Sequence, residues 1–158
     1  MNNLIPGCFT IDLPVFEDER GTFIKTFRKS MMPGPDFVET FFSSSHQNVL
    51  RGMHYSDCEK LVYCVSGFIY DVVLDLDTGD WTSTILSPSK ALYVGKRAAH
   101  GFYALTDAVV AYQATAEYDP ATDKGVRWDS FGAIWPCGDP VISAKDRALV
   151  PFGTRQVH

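Results

Sequence analysis

DVVLDLDTGDWTSTILS, residues 71–87, places the turn DTGD between two runs of β-type residues. Val72, Leu74 and Leu76 share one parity and Asp71, Asp75 and Asp77 the other, the period of two that marks a strand. The run STIL after the turn supplies a returning strand, so the segment reads as a hairpin. Acids alternating along a strand read as its solvent face. A metal site built on them is the less favoured reading.

The same signature recurs on both sides of this hairpin. Strands are expected over 21–27, 36–42, 49–55, 60–65, 68–76, 83–86, 91–94, 101–105 and 109–115. Breakers such as SGF, SPSK, LTDA and YDPATDKG separate them at intervals of about ten residues. Helical periodicity is nearly absent, with single turns expected at 29–32 and near 144–148. Residues 131–158 read as largely irregular. The polar SSSHQN stretch around His46 reads as a loop. The fold class is therefore all-β, a sandwich or barrel, in one domain over residues 1–152 with a tail at 153–158 expected to be disordered.

Composition narrows the function classes. Hydrophobic residues make up 46% of the 158-residue chain and charged residues 21%, enough for a sizeable core. A net charge of −5 argues against nucleic-acid binding through a broad basic surface, and leaves room for a local cationic pocket. No apolar run is long enough to span a bilayer, and the N-terminus has no signal-peptide pattern. Cys8, Cys58, Cys64 and Cys137 form no CxxC pair and read as free thiols of a cytoplasmic protein. His46, His54 and His100 are too scattered for the three-ligand set of a catalytic metal, so no metal is expected.

Several motifs occur in a telling order: DERGTF (18–23), NVLRGMHY (48–55), EKLVYCVSGFIYDVVLDL (59–76), AHGFYAL (99–105), YQATAEYDPATDKGVRW (112–128), IWP (134–136) and SAKD (143–146). Together they resemble the dTDP-4-dehydrorhamnose 3,5-epimerase family. The resemblance implies a jelly-roll (cupin-like) fold, a homodimer, no cofactor, and a nucleotide-diphosphate-linked 4-keto-6-deoxy sugar as substrate. The protons on C3 and C5 flank the C4 ketone of such a sugar. Removing one forms an enolate, and returning a proton to the opposite face inverts the centre.

The resemblance also distributes roles. His54 matches the base, whose imidazole titrates near neutral pH. Asp146 matches the carboxylate that pairs with it. Lys60 matches the cation that holds the enolate oxygen, and Tyr112 the acid on the opposite face. Arg20 and Arg51 match arginines that contact the diphosphate or sugar, and a guanidinium fork suits phosphate oxygens. His100 and Tyr118 match further substrate-binding positions. Taken alone, each has a plainer reading: Lys60 snorkelling, Tyr112 as core, Arg20 as surface charge. A 3,4-ketoisomerase is disfavoured because MHYSD lacks a second histidine close to the first, and a non-catalytic binding module because all four acid–base groups are present.

The chain departs from the family pattern at its nucleotide side. Lys25 stands where an acid is expected, Glu39–Phe42 replace a polar segment, Glu117 replaces a tyrosine, and the segment between His54 and Lys60 is short. These departures lead to the expectation of a base other than thymine, one whose exocyclic amine meets Glu117.

Overall fold

In the computed structural model, residues 1–153 are described. The strands are β1 (Asn2–Ile5), β2 (Cys8–Asp12), β3 (Val15–Asp18), β4 (Gly21–Ile24), β5 (Glu39–Ser45), β6 (Leu50–Tyr55), β7 (Lys60–Ser66), β8 (Ile69–Asp75), β9 (Trp81–Leu86), β10 (Lys90–Val94), β11 (Ala98–Ala104), β12 (Ala108–Ala114) and β13 (Lys124–Gly125). One short helix, α1 (Ala144–Arg147), follows near the end. Two antiparallel sheets result, ordered β1-β2-β10-β7-β12-β5 and β13-β6-β11-β8-β9, with β3 and β4 as a separate hairpin. This is the all-β jelly-roll architecture expected.

Three apolar clusters explain the strand sequences. Val62, Leu92 and Val110 of the first sheet meet Ile69, Val73, Leu86 and Phe102 of the second, forming the inter-sheet core. The outer face of the first sheet, with Leu61, Tyr63 and Ala111, is covered by Leu13, Phe27, Met32 and Phe37. The outer face of the second, with Val72, Leu74 and Ala99, is covered by Val126, Trp128, Phe131 and Trp135. Strands β7, β8 and β11 thus have apolar cover on both faces, and their sequences are nearly continuous apolar runs.

This cover overturns the reading of the DVVLDLD face. The β8–β9 hairpin forms as expected, with Ile69 opposite Leu86 and Leu74 opposite Trp81. Its Asp71 face, however, is the one turned into the inter-sheet core, beside Val73, and Asp71 is fully buried. Asp75 is buried too, where its carboxylate accepts the Asp77 and Thr78 amides and shapes the DTGD turn. Only Asp77 behaves as surface charge, paired with Arg97.

Other differences are smaller. Strands β1 to β3 were not anticipated, and β5 runs three residues beyond its expected end, through Ser43, Ser44 and Ser45. Serines suit this position because β5 is an edge strand with an exposed outer face. The 29–32 segment is a turn closed by Met31 N–H donating to the Arg28 carbonyl, not a helical turn. The helical turn near 144–148 is α1. The proposed tail lies outside the described residues except for Gly153.

Two glycines allow β6 and β11 to approach closely beside the histidines they carry. Gly52 has φ +136°, and a Cβ there would stand 2.5 Å from the Gly101 Cα and 3.2 Å from the His100 carbonyl oxygen. A Cβ on Gly101 would meet the Arg51 carbonyl oxygen at 2.7 Å. Both obstacles are backbone and cannot rotate away. Gly52→Ala is expected to destabilise the fold by about 3 kcal/mol or more through strain and overpacking. Gly34→Ala, with open space around its Cβ, should change stability by no more than about 0.5 kcal/mol. Chemical denaturation of both variants checks this; equal midpoints for the two would contradict it.

Candidate active site

Antiparallel pairing of β6 with β11 sets His54 directly opposite His100. His100 shares its strand face with Phe102 of the inter-sheet core, so this pair looks between the sheets. From the facing sheet, β7 contributes Lys60 and β12 contributes Tyr112. They line one cavity of about 370 Å³ together with Arg51, Tyr118 and Asp146. Seven of the eight residues singled out in the sequence therefore converge. Arg20 does not: it sits on the β3–β4 hairpin, paired with Asp18 and exposed, in a separate groove with Phe16 and Phe23.

His54 and Asp146 are the most firmly built pair. His54 Nε2 lies 2.9 Å from Asp146 Oδ1, with the side chains 26% and 7% exposed. The second Asp146 oxygen accepts the Gly52 amide at 3.1 Å. Ser143 caps α1 by accepting the Asp146 N–H through its hydroxyl, which fixes where that carboxylate starts. Burial pushes the Asp146 carboxyl up, but His54, the Gly52 amide and Lys145 together outweigh it and hold the group below the usual carboxylate range. Asp146 is thus ionised at neutral pH. With Nε2–H donating to it, Nδ1 is left as the basic atom of His54.

A second histidine–carboxylate pair lies deeper. His100 Nδ1 is 3.4 Å from Asp71 Oδ2, and neither residue sees appreciable solvent. Burial pushes the Asp71 carboxyl up, and His100 only partly offsets it. The other Asp71 oxygen makes no hydrogen bond. Asp71 was missed as a site residue; its one signal in the sequence is an acid in the middle of an otherwise apolar strand.

Tyr112 is buried beside this pair. Its ring stacks on Phe41, 4.7 Å between centroids and 10° between planes, and stands 6.2 Å from the His100 ring. Burial, with the nearby Asp71 charge, raises the Tyr112 phenol well above its ordinary value. It is therefore protonated at neutral pH and available as a proton donor. Phe41 and Ser43 were also missed. They face the cavity because β5 pairs in register with β12, Phe41 opposite Tyr112 and Ser43 opposite Val110.

The cations are placed differently from one another. Lys60 opens β7 and makes no ion pair among the described residues. Arg51 donates from Nε to the Ser45 hydroxyl at 2.9 Å and from Nη2 to the Ser44 carbonyl at 3.0 Å. Lys145 pairs with Asp123 at 3.2 Å across the cavity rim, a contact the sequence did not reveal. An adjoining hollow of about 400 Å³ shares Phe41, Lys60, Tyr118 and Asp123 with the first and adds Glu39, Cys58 and Glu117. There the Glu39 carboxylate accepts the Tyr118 amide at 3.1 Å, so it is engaged in holding the 115–119 loop. Glu117 is exposed.

Comparison with known proteins identifies the family. The family model described as dTDP-4-dehydrorhamnose 3,5-epimerase matches residues 2–153. The chain is 36% identical to dTDP-4-dehydrorhamnose 3,5-epimerase of Methanothermobacter thermautotrophicus, covering 98% of this chain and 94% of that one. Among solved structures it resembles dTDP-6-deoxy-D-glucose-3,5-epimerase of Legionella pneumophila in complex with dTDP-4-keto-L-rhamnose, with TM-score 0.91, 30% identity and coverage of 99% and 93%. It is also similar to a 3′-monoepimerase of Streptomyces bikiniensis in complex with dTDP-quinovose, with TM-score 0.91, 27% identity and coverage of 98% and 88%. With its motifs in family order over a jelly-roll fold and the match running from residue 2 to residue 153, the chain belongs to the dTDP-4-dehydrorhamnose 3,5-epimerase family.

Proposed function

We propose that this chain is an isomerase of deoxysugar biosynthesis that epimerises a nucleotide-diphosphate-linked 4-keto-6-deoxy sugar at C3, C5 or both. The observation that carries the reading is His54, backed by Asp146 at 2.9 Å, in one cavity with Tyr112 from the facing sheet. His54 Nδ1 removes the proton next to the C4 ketone, and ionised Asp146 stabilises the imidazolium that forms. The Lys60 ammonium holds the enolate oxygen. Tyr112 gives its proton to the carbon from the other side, leaving the phenolate. His54 and Tyr112 then return to their starting states by proton exchange with solvent. Each positioned proton-transfer group contributes about 10²–10⁴-fold.

The relatives' names carry dTDP, and we take the dTDP-linked sugar as the substrate. The expectation of another base loses support because Glu117 stands as exposed charge at the outer wall. We take the working form as a homodimer. Its support is Arg20, held with exposed Phe16 and Phe23 on a hairpin outside the cavity, where a second copy would have to bring it to a diphosphate. Four free thiols support a cytoplasmic location, and among the described residues no helix is long and apolar enough to cross a membrane.

Three outcomes are expected. His54→Asn should fold normally and lose deuterium exchange at the sugar carbon by about 10³-fold in D2O, read by NMR on the dTDP-linked 4-keto-6-deoxy sugar. Substantial residual exchange would remove His54 from the role of base.

Tyr112→Phe should still wash deuterium into the substrate while forming little epimer. Inversion at the wild-type rate would make Tyr112 a packing residue.

Asp71→Asn gives a pH signature. The folded Asp71 carboxyl is raised above its unfolded value, so its contribution to stability is present below the unfolded value and is lost as pH rises through the folded one. The substituted amide does not titrate. The variant should therefore gain stability relative to wild type as pH rises through that window, with the difference level above it. Denaturation at stepped pH checks this; a variant that loses stability relative to wild type as pH rises through that window would contradict the sign.

A further inference from the structure

Ser43 is left unexplained by the proposed mechanism. It lies on edge strand β5, opposite Val110 and one step along the same face from the Phe41–Tyr112 pair. Phe41, Ser43 and Tyr112 consequently point into the same cavity. The Ser43 hydroxyl oxygen is buried and makes no hydrogen bond, although buried polar atoms almost always have a partner. The next two residues of the strand hold Arg51, through the Ser44 carbonyl and the Ser45 hydroxyl, so the guanidinium stands at the same corner of the cavity.

The proposed mechanism creates a charge at this corner. When the Tyr112 O–H bond breaks, its proton joins the sugar carbon and the electron pair of the O–H bond remains on the phenolate oxygen. That anion forms in a buried place, with the Asp71 carboxylate disfavouring it. We propose, resting on that reading of the function, that Ser43 is the residue that receives this charge: its hydroxyl donates a hydrogen bond to the Tyr112 phenolate while Arg51 balances it electrostatically. Ser43 is then a positioning and tuning residue of the acid and does not touch the sugar. Both partners act in the required direction on the phenol. The Ser43 hydroxyl and the Arg51 charge each favour the ionised form, although Ser43 and Tyr112 fall short of hydrogen-bond geometry while the phenol is neutral.

The test is the partition between exchange and inversion. Wild type, Ser43→Ala and Ser43→Thr are incubated in D2O with the dTDP-linked 4-keto-6-deoxy sugar, and both rates are read by NMR. A hydrogen bond to a charged group lost from the product of proton donation should slow inversion by about ten- to a hundredfold in Ser43→Ala. Exchange driven by His54 should stay within about threefold of wild type. Ser43→Thr, which keeps the hydroxyl, should restore inversion. Should Ser43→Ala not fold, Ser43→Cys keeps the size, weakens the donor, and gives the same comparison. An unchanged ratio of inversion to exchange, or parallel loss of both rates in a folded variant, overturns the role of Ser43 alone. Absence of exchange by the wild-type protein overturns the epimerase reading and this inference with it.

Discussion

One carboxylate, Asp146, ties the end of the chain to its middle. One oxygen holds the His54 imidazole and the other holds the Gly52 amide. The residue is 94 positions from Gly52, so the contact sets how the α1 segment lies on β6 as well as which nitrogen of His54 carries the proton. The serine cap of α1 and the close approach of Gly52 to Gly101 both serve that placement. Losing the carboxylate would leave a buried amide without an acceptor and an imidazole free to turn, so structure and chemistry fail together here.

The cavity contains two histidine–carboxylate pairs that are not equivalent. The His54 pair is short, partly open, and backed by a carboxylate that the surrounding donors keep ionised. The His100 pair is longer and sealed, with a carboxyl that burial pushes up. A base that must cycle its proton with solvent fits the first environment. The second fits a fixed wall beside Tyr112, where it helps keep the phenol protonated. The proposed acid and base are thus separated by environment across one cavity, with Lys60 from the same sheet as Tyr112.

Much of this was legible in the chain, for identifiable reasons. Near-alternation before DTGD announced the hairpin, and the order of LRGMH, AHGF and SAKD placed His54, His100 and Asp146. Alternation reports parity and not which face is the core, so Asp71 was assigned to the wrong side. Where both faces of a strand are covered, the acid face becomes informative only once the covering Trp128 and Trp135 layer is known. Ser43 was hidden by a different cause: a serine run resembles a loop unless its pairing with β12 is seen. Arg20 carried the right motif, but its hairpin stands apart from the cavity, a placement that local sequence does not encode.

The central claim is that His54 and Tyr112 act on opposite faces of one sugar ring. A crystal structure of the protein with a dTDP-linked 6-deoxyhexose bound tests it most directly. The account predicts a carbon next to C4 lying between His54 Nδ1 and the Tyr112 hydroxyl oxygen, one on each face of the ring, with O4 towards the Lys60 ammonium. A sugar seated with both groups on the same face, or outside the cavity that holds them, would contradict it.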